Sequence, residues 1–132
     1  MVDGYLGTLT TEKRMLLHLY DHILPEGQWE APAELTQAGI SAAVHVQRKH
    51  VPRTLKRLED RNELVTGQRH VPGAKQRRRV YGLTPEGRIR AAALRDNILN
   101  LTVISNGEEK NLTQNHWHSL VKGFVLILGV YL

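Results

Sequence analysis

Within residues 35–87 the hydrophobic period changes repeatedly, and the order of those changes constrains the fold more than any single residue does. Ile40, Ala43 and Val44 fall at i, i+3 and i+4, one short apolar face of a helix. Thr36 precedes Gln37, where its hydroxyl can accept an orphan backbone N–H. A helix is therefore expected over Thr36–Val44. A tight turn at His45–Val46 and a second helix over Gln47–Asn62 follow, the latter with Val51, Leu55 and Leu58 on one buried stripe. Two short strands are expected next, Leu64–Val71 and Arg77–Leu83. They flank a turn at Pro72-Gly73-Ala74-Lys75-Gln76, marked by its Pro-Gly pair. Thr84-Pro85-Glu86 then reads as a helix start: a cap, a proline at the first helical position and an acid in the first turn.

The second helix has a basic face. Opposite its apolar stripe lie Lys49, Arg53, Lys56 and Asp60, with His50 and Arg57 to one side. A short helix, a tight turn and a helix that is apolar on one side and basic on the other have the layout of a recognition helix. Pro52 falls near the fifth helical position, where its missing N–H removes a bond to the Arg48 carbonyl, so an irregular first turn is expected. In the second half of the segment Arg69, Lys75, Arg77, Arg78 and Arg79 place five cations in eleven residues with no acid among them.

The run Gly39-Ile40-Ser41, then Val51-Pro52-Arg53-Thr54-Leu55-Lys56-Arg57-Leu58-Glu59, Leu64-Val65 and Arg79-Val80-Tyr81-Gly82-Leu83-Thr84-Pro85-Glu86-Gly87 resembles the winged-helix domain of MarR-like regulators. It is most similar to the winged helices at the N-terminus of many archaeal regulators. The resemblance covers about residues 10–99. Two positions depart from it: Gln47 stands where Ser or Thr is usual, and no Asp precedes the wing arginines. The resemblance implies a winged helix-turn-helix and suggests a homodimer formed through the helix after the wing. That helix, expected from Pro85 to about Asn100, carries Ile89, Ala92, Ala93, Leu94 and Ile98. Covering its own domain is the other use for it.

Charge follows the same segment. Residues 45–90 hold thirteen Lys and Arg against four Asp and Glu, a net +9, whereas the rest of the chain is net −4. A confined basic stripe is the footprint a phosphate backbone asks for. The bland reading is a solvated basic surface.

Elsewhere the chain says less. With 132 residues, 41% of them apolar, it can bury one core. It has no cysteine, so neither disulfides nor thiolate metal sites arise. Thr10 or Thr11 can cap a first helix reaching about Leu24, with Leu16, Leu19, Tyr20 and Ile23 at helical spacing. Trp29–Glu34 reads as a linker or a short first strand of the wing sheet, with Pro32 against a central strand. His18 and His22 are four residues apart, a metal-ligand spacing, but no further ligand is placed beside them; His116 and His118 stand no better. Asn106-Gly107 after β-branched residues predicts a hairpin over residues 102–112, and Thr113–Leu120 is a candidate helix. The uncharged run Gly123–Leu132 is too short to span a bilayer. It suits a core strand, a dimer contact or the start of a further domain.

The expected fold class is mainly α with a small β-wing. A winged helix-turn-helix occupies residues 10–100 and a C-terminal hairpin and helix extension residues 101–132. No catalytic set is visible, neither Gly-x-Ser-x-Gly nor His-Glu-x-x-His nor a P-loop, so neither an enzyme nor a cofactor is expected. The start lacks the basic and apolar regions of a signal peptide, which makes a cytoplasmic protein without membrane contact the expectation. The leading functional expectation is sequence-specific binding of double-stranded DNA by a transcriptional regulator. Arg48, Lys49, His50 and Arg53 would approach base edges, with Gln47 at the helix entrance and Thr36 at the edge of the interface. Lys56 and Arg57 would meet phosphates, and Arg69 counts among the DNA-binding residues without an assigned contact. Lys75, Gln76, Arg77 and Arg78, on a flexible tip, would follow the flanking backbone or minor groove, and Arg79 would turn toward the domain. The rival is a winged helix used as a protein-interaction module of a larger signalling protein; RNA binding is disfavoured by the lack of an aromatic-rich sheet motif. The residues name neither an operator nor a small-molecule effector.

Overall fold

Five consecutive side chains, Met15 to Leu19, are buried. At 100° per residue they go more than once around a helix, so the first helix must be covered on several sides. In the computed structural model this helix, α1 (Thr11–Asp21), packs against three other helices and the wing. The structure describes residues 5–7, 9–24, 26–99, 102–105, 108–111, 121–122 and 126–128. Thr10 caps α1, its Oγ1 accepting from Lys13 N at 3.2 Å. The helix ends three residues earlier than the apolar spacing suggested, at Asp21.

A single turn at Ala33–Leu35 leads into α2 (Gln37–Val44). Thr36 is its cap, accepting from Gly39 N at 3.1 Å and donating to Ala33 O at 2.7 Å. Gly39 is required by proximity: a Cβ there would drive into the Ala33 carbonyl oxygen. The tight turn after α2 is made by His45 in the left-handed region (φ 54°). Ser41 ties that turn from inside the helix. Its hydroxyl donates to Val46 O at 2.5 Å and its carbonyl accepts from Val46 N at 3.2 Å. Arg14 adds a cation from α1, donating to Val44 O at 2.6 Å, where the helix end leaves carbonyls orphaned and the dipole is negative.

The second helix is split. Arg48–His50 form one 3-10 turn, and the α-helix proper, α3, spans Val51–Asp60. The expected continuous helix from Gln47 to Asn62 is thus shorter at both ends. Pro52 is the reason at the first: it sits in the opening turn of α3, where a missing N–H costs nothing. At the other end Asn62 adopts φ 60° and Glu63 N returns to Leu58 O at 2.9 Å.

Strands β2 (Leu64–Arg69) and β3 (Arg78–Leu83) pair antiparallel from Leu64 opposite Leu83 to Arg69 opposite Arg78. Both are slightly shorter than expected at the tip. At their base Thr84 joins three elements. Its Oγ1 donates to Asn62 O at 2.6 Å and accepts from Gly87 N at 3.1 Å, capping α4 (Pro85–Leu99). The expected cap and N-terminal proline are both found there.

The core gathers Leu16, Leu17, Leu35, Ile40, Val44, Val51, Leu58 and Val80, all fully buried. Burial of each Leu or Ile of this set is worth about 1.5–3 kcal/mol. In the extension β4 (Thr102–Ser105) and β5 (Glu108–Asn111) form the expected hairpin. The apolar C-terminal run supplies β6 (Leu126–Leu128), paired antiparallel with β1 (Tyr5–Gly7). The candidate helix over Thr113–Leu120 and His116 and His118 lie outside the described residues.

Candidate nucleic-acid interface

Not all of the basic segment is available to a partner. Two of its arginines are spent inside the fold. Arg61 lies 2.8 Å from Glu12 and 3.7 Å from Glu63, and Arg90 lies 3.1 Å from Glu12 and 2.7 Å from Glu63. This square ties α1, the end of α3, the start of β2 and α4 together. Burial pushes the Glu12 carboxyl up, but the hydrogen bonds and charges of Arg61 and Arg90 overcome this and hold it below the ordinary carboxylate range. Lys56 is also paired, to Asp60 at 3.0 Å one helical turn on.

What remains is exposed and concentrated. Gln47, Arg48, Lys49 and His50 are exposed on the 3-10 turn and its approach, and Arg53 and Arg57 on α3. Val51, Leu55 and Leu58 bury the opposite side of α3, as expected, and Thr54 joins them. Arg57 reaches the Thr54 hydroxyl at 3.3 Å. Lys75, Gln76, Arg77 and Arg78 are exposed at the wing, and so is Arg79, which corrects its expected inward direction. Among the described residues none of Arg48, Lys49, Arg53, Arg57, Lys75, Arg77, Arg78 and Arg79 is in an ion pair. Thr36 is half-buried with its hydroxyl committed to the cap.

The wing tip is tethered, not loose. Val71 is buried next to the tip, beside the equally buried Ala31. His70 N donates to Trp29 O at 2.7 Å and Ala31 N to His70 O at 2.9 Å, so the 29–31 stretch contributes a single parallel bridge to the wing. Ala74 N closes the turn onto Val71 O at 2.9 Å, and Gly73 supplies the positive φ of 86°. Flexibility is therefore no reason to deny the tip a fixed contact; only its charge and exposure speak for phosphates.

Sequence reasoning passed over Trp29 as part of a linker. It is 65% exposed and its ring stacks on His70 at a centroid distance of 4.8 Å. A large aromatic among loop residues was the available signal. Conversely, the paired histidines of α1 serve the backbone: His18 Nε2 lies 2.8 Å from Glu34 O and His22 Nδ1 2.9 Å from His18 O.

An α1 core helix, a helix-turn-helix, a two-stranded wing and a following helix in this order decide the architecture. The fold is that of a MarR-like winged helix. Among solved structures the chain is similar to MepR, a transcription regulator of the Staphylococcus aureus multidrug efflux pump MepA. The match has a TM-score of 0.50 and 23% identity, over 68% of this chain and 57% of MepR. The chain thus spans under three-fifths of MepR's length. A substituted form of MepR gives 0.46 at 23% identity, over 67% of this chain and 59% of that one. Both come from S. aureus, so the expected archaeal likeness is not borne out. No protein-family model and no curated protein sequence matches the chain.

Proposed function

We propose that this MarR-like winged helix is a sequence-specific, double-stranded-DNA-binding transcriptional regulator that acts as a homodimer in the cytoplasm. One observation carries the reading. Arg61 and Arg90 are held by Glu12 and Glu63 and Lys56 by Asp60, while Arg48, Lys49, Arg53, Arg57, Lys75, Arg77, Arg78 and Arg79 are exposed with no ion pair among the described residues. A set of exposed cations without counter-charges of their own suits a polyanion. Arg48, Lys49, His50 and Arg53 take base edges in the major groove, with Gln47 beside them. Lys56, Arg57, Lys75, Gln76, Arg77 and Arg78 take phosphates. Ile89, 72% exposed on α4, supports a second copy packing on that helix. No helix among the described residues is long and apolar enough to cross a membrane. The name of MepR as a transcription regulator is consistent with this role.

The test is a salt series on a random duplex and on a duplex selected for tight binding. Replacing Lys75, Arg77 and Arg78 together with alanine should flatten the log–log salt slope by about three, one per phosphate. Affinity should fall by a similar factor on both duplexes. No salt-dependent binding of the parent chain to either duplex would sink the proposal in favour of a protein-interaction module. A lost preference for the selected duplex with an unchanged slope would move base reading to the wing.

A further inference from the structure

Between the 27–29 loop and the wing lies a shallow cleft of about 280 Å³ lined by Gly27, Gln28, Trp29, Gln68, Arg69 and Arg77. We propose that this cleft seats one backbone unit of the bound duplex, its phosphate between Arg69 and Arg77 and its deoxyribose against the exposed face of Trp29. The inference rests on the DNA-binding reading and adds to it a contact made by the loop before the helix-turn-helix.

Three observations meet here. First, the ring is presented: His70 stacks on Trp29, and two main-chain hydrogen bonds fix the loop to the wing. An indole held this way loses little freedom when a partner covers it. Second, the cations lack partners. Arg69 Nη1 reaches only its neighbour's carbonyl, Gln68 O at 3.3 Å, and Arg69 Nε is buried with no acceptor among the described residues. Arg69 also stands directly opposite Arg78, a like-charge pair that an anion would relieve. Third, the cleft is continuous with the wing cations through Arg77, and its lining includes no carboxylate. The acids flanking this loop, Glu26 and Glu30, do not line the cleft; Glu26 lines the neighbouring one beside α1, which Arg69 also borders. A flat apolar ring between guanidinium groups and side-chain amides matches a sugar next to a phosphate.

The experiment is a salt series on random duplex DNA with the full chain and its Trp29→Ala and Trp29→Phe variants. Trp29→Ala should weaken binding by about tenfold through lost apolar contact. The slope should stay unchanged, because the ring carries no charge. Trp29→Phe should recover most of the affinity. Arg69→Ala should instead flatten the slope by about one. Duplex should quench the parent's fluorescence more than that of Trp29→Phe. Salt-dependent binding by the parent with Trp29→Ala unimpaired would overturn the assignment and leave the function intact; a protein partner or a second copy would then own the cleft. Loss of slope together with affinity in Trp29→Ala would mean an undocked wing, which also overturns it. A parent chain that binds no duplex removes both the reading and the inference.

Discussion

Arg69 and Arg78 stand directly opposite each other across the wing, the last register pair of β2 and β3. Like charges at such a position work against the hairpin. Arg78→Thr is therefore expected to raise the melting temperature, by the equivalent of about 0.2–1 kcal/mol. The gain should shrink in high salt, where the repulsion is screened. The same variant should bind duplex more weakly. Thermal melts at low and high salt check the first half, and an unchanged melting temperature in low salt would show that the two guanidiniums avoid each other.

Arg53 is exposed one turn into α3, on the face opposite Val51, Leu55 and Leu58. If it makes a bidentate base contact, Arg53→Ala should cost about 1–3 kcal/mol on a selected duplex and relax the preference at one base pair. A binding-site selection repeated with the variant reads this directly. Identical affinity and identical preference would take Arg53 off the reading surface.

Glu12 holds Arg61 and Arg90 together. Its folded pKa is depressed, so its contribution to stability is fully present above the ordinary carboxylate value and is lost as pH falls through the folded one. Glu12→Gln should cost about 2 kcal/mol at neutral pH, the scale of hydrogen bonds to charged groups. Its stability should then fall less steeply than the parent's below about pH 4.5. Urea melts across that range decide it; parallel curves would place the acid sensitivity elsewhere.

His18 is buried, and burial pushes its pKa down despite the Glu34 carbonyl and the nearby Asp21 and Glu34 charges. Folding therefore favours the neutral ring. Stability is complete above the ordinary histidine pKa of about 6.5 and declines as pH falls from there through the folded value. His18→Gln should be less stable at pH 7.5 yet flatter between pH 6.5 and 5. A variant that keeps the parent's slope would assign that slope to another histidine.

Gly39 meets the Ala33 carbonyl where α2 crosses the 33–35 turn. Gly39→Ala should destabilise by about 1–3 kcal/mol, as overpacking does, despite alanine's better helix propensity. A denaturation midpoint equal to the parent's would mean that α2 can retreat from the turn.

The order of elements was legible because each has a local cause. Thr36 and Thr84 cap where caps were expected, and Pro85 opens α4 as its first residue. The apolar stripe of α3 is buried as its spacing requires. What escaped depends on distant residues. Nothing near Arg61 or Arg90 in the chain reveals Glu12, forty-nine and seventy-eight positions away, so the basic segment looked more uniformly available than it is. The docking of residues 29–31 on the wing is likewise a long-range bridge, and it turned an expected flexible tip into a tethered one. The direction of Arg79 was misjudged because the base of β3 is buried at three successive positions, Val80 to Gly82, while alternation beyond the base has no buried surface to enforce it.

The 3-10 turn over Arg48–His50 sets the phase of the side chains proposed to enter the groove. Such a turn advances about 120° and 2.0 Å per residue, against about 100° and 1.5 Å in an α-helix. Across three residues Arg48 is therefore rotated by about 60° and displaced by about 1.5 Å relative to a continuous helix leading into α3. A base-contact code transferred position by position from an unbroken recognition helix would assign Arg48 and Lys49 to the wrong base pairs while leaving Arg53 in step.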